Sequence, residues 1–289
     1  MADSPIGIGL LGYGTVGSAV DRLLTARAED VARVVGAPVE VRRALVRDLA
    51  RHRATASRPD ILTDDFAAIR DDTSIAVVAE VMGGVSPTRE WMLELFAAGK
   101  SVVTANKQLL ARHGAELFAA AEAHGVQLRF EASVCAAIPV VKVLRESMIA
   151  SEVSAVLGIV NGTTNFMLTK MAEGADYATV LAEAQRLGYA EADPTEDVTG
   201  GDAAAKVAIL ASIAFHTEVT IDDVPHEGID GLDALDVAFA DDLGYSVKLI
   251  GQARRVPAGV VVGVAPTLVP RSHALSGVNG SFNAVMLNG

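Results

Sequence analysis

An apolar run, Ile6-Gly7-Ile8-Gly9-Leu10-Leu11, passes directly into Gly12-Tyr13-Gly14-Thr15-Val16-Gly17 and then into a helix-compatible stretch, residues 18–29. Three glycines at that spacing, between a strand and a helix, admit few folds. Gly12 permits the tight turn out of the strand, Gly14 leaves backbone bare where a pyrophosphate must approach, and Gly17 lets helix and strand pack closely. Thr15 and Val16 lie in the turn itself, just before the helix whose N-terminus supplies a positive field for an anion, and count with the glycines as cofactor-binding residues. The segment predicts the opening unit of a Rossmann-type doubly wound parallel sheet, with a dinucleotide at its turn.

The rhythm continues along the chain. A second strand over residues 39–46 ends at Arg47-Asp48, with Arg51 and Arg53 close behind. An acid at this corner takes the two ribose hydroxyls of NAD, whereas an arginine accommodates the 2′-phosphate of NADP. Both residue types are present, so the coenzyme is NADP or NAD, with the arginines favouring NADP. Strands over 74–82, 101–104 and 126–130 alternate with helices over 87–98 and 113–124, each helix being stopped by a glycine, Gly99 or Gly125. Ligands of such sheets bind beyond the carboxyl ends of the strands. That directs Gly83, Thr104 and Lys107 to the cofactor site.

After Glu131 the alternation weakens, and residues 132–143 are small and apolar around Pro139. The boundary drawn there gives a dinucleotide-binding domain over residues 1–132 and a second domain over 133–289. In the second, strands are expected over 153–160, 247–250, 260–264 and 282–286, a turn over 161–165, and helices over 166–172, 178–187 and 233–243. This segregated pattern reads as α+β. Within it lies an acidic loop, residues 188–201, that carries Glu191, Asp193, Glu196 and Asp197 and ends at Gly200-Gly201. The run after it contains no Gly or Pro until past Phe215, so a helix should begin near Asp202, with Lys206 one turn on along the same face. An acid in the first turn suits the helix dipole. Burial of an otherwise apolar helix would favour a neutral Lys206 amine and ready it for proton transfer. The loop acids could hold an ammonium substrate. A solvated loop followed by a weak surface ion pair is the plain alternative.

The chain is 289 residues long, with 51% hydrophobic content, enough for a substantial core. A formal charge of -12 argues against nucleic acid or an anionic membrane as partner, either of which would need a basic face. No run approaches the ~18 apolar residues of a membrane span, and the first residues lack the basic region of a signal peptide. One cysteine, Cys135, excludes an internal disulfide and fits a reducing cytoplasm. A zinc site is not expected from one cysteine and scattered histidines.

With these residues in view, the chain resembles the homoserine dehydrogenase family from Gly7 to about Asn283. The likeness rests on Gly12-Tyr-Gly-Thr-Val-Gly17, Glu80-Val-Met-Gly-Gly84, Val103-Thr-Ala-Asn-Lys107, Phe130-Glu131 followed by Ile138-Pro139, Asn161-Gly-Thr-Thr-Asn165 and residues 188–206, in that order. The resemblance implies an NAD(P)-dependent, reversible reduction of aspartate 4-semialdehyde to homoserine, in the biosynthesis of threonine and methionine, by a homodimer joined through the second domain. It implies catalytic roles for Lys107, Lys206 and Asp202, and substrate contacts from Glu191, Asp197, Thr163 and Tyr189. It also implies a monovalent cation, usually sodium, on the side chain of Glu131 and the carbonyls of Val134, Ala136 and Ile138. The chain departs from the family in two ways. Cys135-Ala136-Ala137 is bulkier than the usual residues before Ile-Pro, and the family's glycine-rich turn and helix returning to the cofactor domain would follow Gly289. No regulatory domain is expected. Two other readings stay open: a dimeric nucleotide-binding protein that has lost turnover, and a dehydrogenase for another short carbonyl amino acid.

Overall fold

The computed structural model describes residues 4–54, 56–135 and 137–289. The chain forms two compact units that divide between Phe130 and Glu131.

The first unit runs β1 (Ile6–Leu11), α1 (Thr15–Ala26), α2 (Ala28–Val35), β2 (Val39–Leu45), α3 (Leu49–Arg53), β3 (Leu62–Thr63), α4 (Ala67–Arg70), β4 (Ile75–Glu80), α5 (Thr88–Ala97), β5 (Ser101–Thr104), α6 (Lys107–Ala123) and β6 (Leu128–Arg129). Its six strands are parallel, in the order β3-β2-β1-β4-β5-β6. The central β1 buries Leu10 and Leu11 completely, as a parallel strand covered on both faces must. Leu95 and Phe96 of α5 and Leu109 and Leu117 of α6 contribute fully buried side chains to the core. The strand order reverses beside β1, the point at which doubly wound sheets open a ligand crevice. Two helices differ from the sequence expectation. The stretch expected as one helix over 18–29 is α1 and α2, broken at Arg27 (φ -115, ψ 25). α6 begins at Lys107 rather than at 113, because the Asn106 side chain accepts the Leu109 N–H and caps it, and the helix kinks at His113.

The second unit runs α7 (Val140–Lys142), β7 (Ala155–Ile159), α8 (Gly162–Ala172), α9 (Tyr177–Leu187), α10 (Thr195–Val198), α11 (Gly201–Phe215), α12 (Ala234–Asp242), β8 (Tyr245–Val256), β9 (Gly259–Pro270) and β10 (Ala284–Asn288). Its sheet is antiparallel, in the order β10-β7-β8-β9. α11 packs on β8 and β9 and is buried along most of its length, Val207, Ala208, Leu210 and Ala211 included. The expected turn over 161–165 is a helix start: Asn161 Oδ1 accepts the Thr164 N–H at 2.8 Å, so Gly162-Thr163-Thr164-Asn165 is the first turn of α8. A Ser/Thr/Asn-type cap makes a glycine-containing run helical where composition reads as a loop. β8 and β9 are also longer than expected, twelve residues each. Pro266 lies within β9, which is at the sheet edge, where a missing N–H is tolerated.

Candidate active site

In the first unit the residues of the glycine fingerprint divide their work as the spacing requires. Gly12 has φ +102, which only glycine adopts readily. A Cβ on Gly17 would fall on the Gly12 carbonyl oxygen, whereas a Cβ on Gly14 would meet no atom of the described residues within 4 Å. Among the described residues no side chain caps α1, and Val16 is exposed. The first N–H groups of this twelve-residue helix therefore take no side-chain cap, the arrangement in which helix N-termini bind anions. Behind the turn, the Tyr13 hydroxyl donates to the buried Asp21 at 2.7 Å, and Arg58 donates to the other Asp21 oxygen at 2.9 Å. Arg47 is exposed after β2, and Asp48 accepts the Arg51 N–H to cap α3.

At the carboxyl ends of β4 and β5 a buried carboxylate organises the loops. Glu80 Oε1 accepts the N–H groups of Met82 and Gly83, both at 3.0 Å, and its Oε2 accepts the Thr104 hydroxyl at 2.5 Å. Thr104 Oγ1 in turn accepts the Asn106 N–H, and Asn106 Nδ2 donates to the Gly84 carbonyl at 2.7 Å. Gly83 and Gly84 take positive φ to make this turn. Lys107, half-buried, is the next residue. Glu80 stands in a motif of the family resemblance, but its role as the anchor of both loops is a tertiary fact.

The second unit gathers charge around the start of α11. Lys206 Nζ donates to Asp202 Oδ2 at 2.6 Å and to the Val160 carbonyl at 2.7 Å. The side chains of this pair are 14% and 6% exposed, so it is not a surface ion pair. Nor is the amine left among apolar side chains, as its helix alone would suggest, because a carboxylate and a carbonyl meet it. Asn161 adds a junction: its Nδ2 donates to Asp197 Oδ1 at 2.7 Å and to Asp202 Oδ2 at 2.8 Å. Burial raises the Asp197 carboxyl above the ordinary carboxylate range; the bond from Asn161 opposes the shift and the Asp202 charge adds to it. Thr163 donates to the Tyr189 carbonyl at 2.7 Å, and the Tyr189 ring leans on Phe166 at 5.0 Å. Glu191 is exposed. Asp193 accepts the Thr195 N–H and hydroxyl at the start of α10, and the Glu196 carboxylate lies over Gly201 at the positive end of α11.

The segment after Phe130 carries the residues expected to bind a cation. Glu131 Oε1 and Oε2 accept the N–H groups of Val141 and Lys142, at 3.0 and 2.9 Å. The Ile138 carbonyl accepts the Val140 N–H at 2.8 Å. Val134 is buried, and Ala136 lies outside the described residues. Cys135 adopts φ +54, unusual for a residue with a side chain. Burial pushes its thiol up to about 11, with the Lys206 charge opposing and the Asp202 charge adding, so this loop lies within the field of the pair.

The structure thus brings Asp197, Asp202 and Lys206 together, with Thr163 and Tyr189 on adjoining elements, and leaves the Glu191 side chain at the surface. Sequence reasoning missed Asn161 and the Val160 carbonyl as partners of the charged group. Asn161 stands in a motif of the family resemblance, and reading it as a helix cap would have turned it toward α11.

A parallel sheet that opens with a dinucleotide cradle, followed by a unit built around a buried lysine–carboxylate pair, defines a two-unit protein of the dinucleotide-binding class. Sequence models of two families match it: residues 12–131 match the one described as homoserine dehydrogenase, NAD binding domain, and residues 139–289 the one described as homoserine dehydrogenase. A homoserine dehydrogenase of Corynebacterium glutamicum is 50% identical over 98% of this chain and 65% of its own length, and one of Bacillus subtilis is 45% identical over 98% and 66%. The crystal structure of a homoserine dehydrogenase from Thiobacillus denitrificans superposes with a TM-score of 0.95 at 45% identity, over 99% of this chain and 66% of that one. The chain belongs to the homoserine dehydrogenase family. It spans about two thirds of the length of the curated relatives it matches.

Proposed function

We propose that this chain interconverts aspartate 4-semialdehyde and homoserine with NADP or NAD as coenzyme. The observation that carries the reading is the buried Lys206–Asp202 pair, joined to Asp197 by one asparagine, in a chain of this family that also keeps an open phosphate cradle at Gly14.

When bound, a nicotinamide would supply the hydride to the carbonyl carbon in the reduction, or accept it from the alcohol carbon in the oxidation. In the reduction, Lys206 gives a proton to the carbonyl oxygen as the π electron pair moves onto it, and in the oxidation it takes the proton back. Among the described residues, Asp202 and Val160 occupy two of its three N–H donors, so a third is left for the substrate oxygen. Asp202 orients the lysine. Asp197 and Glu191 are the acids for the substrate ammonium, with Thr163 and Tyr189 shaping that side of the site. Lys107, the second catalytic lysine, heads α6 at the edge where coenzyme binds. A chain freed from turnover would gain by losing buried charges that cost folding free energy, which argues against the non-catalytic reading.

Thr15, Val16 and Gly17 offer N–H groups to the pyrophosphate around Gly12 and Gly14, while Gly83 and Thr104 line the coenzyme edge. Arg47 takes the 2′-phosphate, so NADP is preferred. A hard monovalent cation such as sodium would take oxygen ligands, for which the family resemblance points to the Glu131 carboxylate and the carbonyls of Val134, Ala136 and Ile138. Each Glu131 oxygen accepts one amide and keeps a lone pair for it. The cation would brace the loop beside Cys135. We place the protein in the cytoplasm, on its single buried thiol, as a homodimer joined through the second unit, which exposes Leu268, Phe282 and Val261 around its sheet.

The test is oxidation of homoserine by NADP+ and NAD+, and the reverse with aspartate semialdehyde, followed at the nicotinamide absorbance. Turnover of both supports the reading. A folded chain that neither turns over nor binds homoserine by calorimetry ends it.

A further inference from the structure

Lys248 lies in β8, 2% exposed, and plays no part in the chemistry above. Its Nζ donates to the Val278 carbonyl at 2.6 Å, to Asn279 Oδ1 at 3.0 Å and to Asn165 Oδ1 at 3.1 Å. Among the described residues, no carboxylate pairs with it. β7, β9 and residues 274–283 contain no ionisable side chain. On α8, Lys170 is paired with Glu173. On α12, Asp236 accepts the Asp233 N–H and Asp241 pairs with Arg271, and Asp242 is exposed. On α11, Asp202 and Lys206 hold each other. Burial alone lowers the Lys248 amine to about 8. A methionine would fill the same space without that cost.

What the ammonium provides is a match of three donors to three acceptors. Asn165 is locked in the required orientation, because its Nδ2 donates to the carbonyls of Val278 and Phe282 at 3.1 and 3.0 Å, which turns its oxygen toward Lys248. The segment so gathered runs against the start of α8, where a Cβ on Gly162 would come within 2.7 Å of the Ser281 carbonyl oxygen. Asn165 stands one turn after Asn161 and donates its backbone N–H to the Asn161 carbonyl at 3.3 Å. Asn161 is the residue that joins Asp197 to Asp202. A neutral amine has only two N–H donors, and its lone pair would confront an oxygen.

We propose that Lys248 is a positioning residue for the substrate site: its ammonium clamps residues 278–282 under the first turn of α8 and so holds Asn161 where it aligns Asp197 with Asp202. The inference rests on the proposed reaction for its kinetic consequence but not for its geometry. The experiment combines kinetics with asparagine-selective ¹⁵N labelling of the full chain, in the parent and in Lys248→Met, with Asn161→Asp to identify the signals. Lys248→Met should shift the Asn161 side-chain amide protons and lower kcat/KM for homoserine by about tenfold, with the coenzyme KM unchanged. Asn161 signals at their parent positions, or shifted signals with unaltered homoserine kinetics, overturn the proposal. Should the parent chain not act on homoserine, the enzyme reading fails while the amide shifts still decide the geometry. If Lys248→Met does not fold, the parent titrated over about pH 6 to 10 carries the test. The Asn161 amide should then move with the midpoint of the Lys248 Cε–Nζ signals, and an Asn161 amide that stays still as Lys248 loses its proton overturns the clamp.

Discussion

Asp202 and Lys206 are four residues apart on an apolar helix, close enough for one helical turn to pair them and buried enough for the pair to matter. Lys206→Ala is expected to lower kcat by about 10²- to 10⁴-fold, the usual worth of a positioned acid, with coenzyme affinity held at its parent value. Steady-state rates and coenzyme titration check this, and unchanged kcat with a slightly lower melting temperature would return the pair to a structural role. Asp197 tests the cost of the site. Its folded carboxyl binds protons more tightly than the unfolded one, so its stabilising contribution is present below the ordinary aspartate value and is lost as pH rises through the raised one. Asp197→Asn should therefore melt at or above the parent temperature at neutral pH, with a smaller gain at about pH 4, while the homoserine KM rises. A variant that melts lower at neutral pH than at acid pH, relative to the parent, contradicts the burial argument.

The element that most sharply separates fold from function is the turn from β1 into α1. Because a Cβ on Gly14 meets nothing among the described residues and one on Gly17 falls on the Gly12 carbonyl, the two glycines should fail differently. Gly14→Val keeps the parent melting temperature and loses coenzyme binding, whereas Gly17→Ala loses ~1–3 kcal/mol of stability through overpacking. Calorimetric coenzyme titration beside a thermal melt distinguishes them, and retained coenzyme affinity in Gly14→Val removes the phosphate from this turn. At the end of β2, Asp48 is occupied in capping α3 while Arg47 is exposed. Arg47→Ala should cut the NADPH-over-NADH preference about tenfold, the value of one charge-assisted contact; a parent that favours NADH refutes the role of Arg47.

On the scale of the molecule, the two units can be watched separately. The only tryptophan, Trp91, lies in the first unit, stacked on Phe66 at 4.8 Å. Coenzyme at about 100 times its dissociation constant adds ~2.7 kcal/mol to whatever binds it. The fluorescence melt should therefore rise with coenzyme, and Gly14→Val should abolish the rise. A Trp91 transition indifferent to coenzyme in the parent would detach the dinucleotide from this unit. Light scattering should give twice the 30.0 kDa chain mass, and a mass of one chain at working concentration would end the dimer proposal.

The sequence alone determined what is encoded locally. A strand, three spaced glycines and a helix are one contiguous stretch, and Asp202 and Lys206 are neighbours by helical period, so both were legible from the order of residues. Alternating apolar runs and glycine stops likewise announced the parallel sheet. The boundaries that failed did so where tertiary context overrides composition: an asparagine cap made a helix of Asn161-Gly-Thr-Thr-Asn165, and an edge position let Pro266 stay in a strand. Only the tertiary structure decided the partners of the charged groups. Glu80 reaches Thr104 across 24 residues, Asn161 reaches Asp202 across 41, and Lys248 reaches Asn165 across 83. Buried polar groups must find partners wherever the packed chain supplies them, and no periodicity records which distant residue that will be.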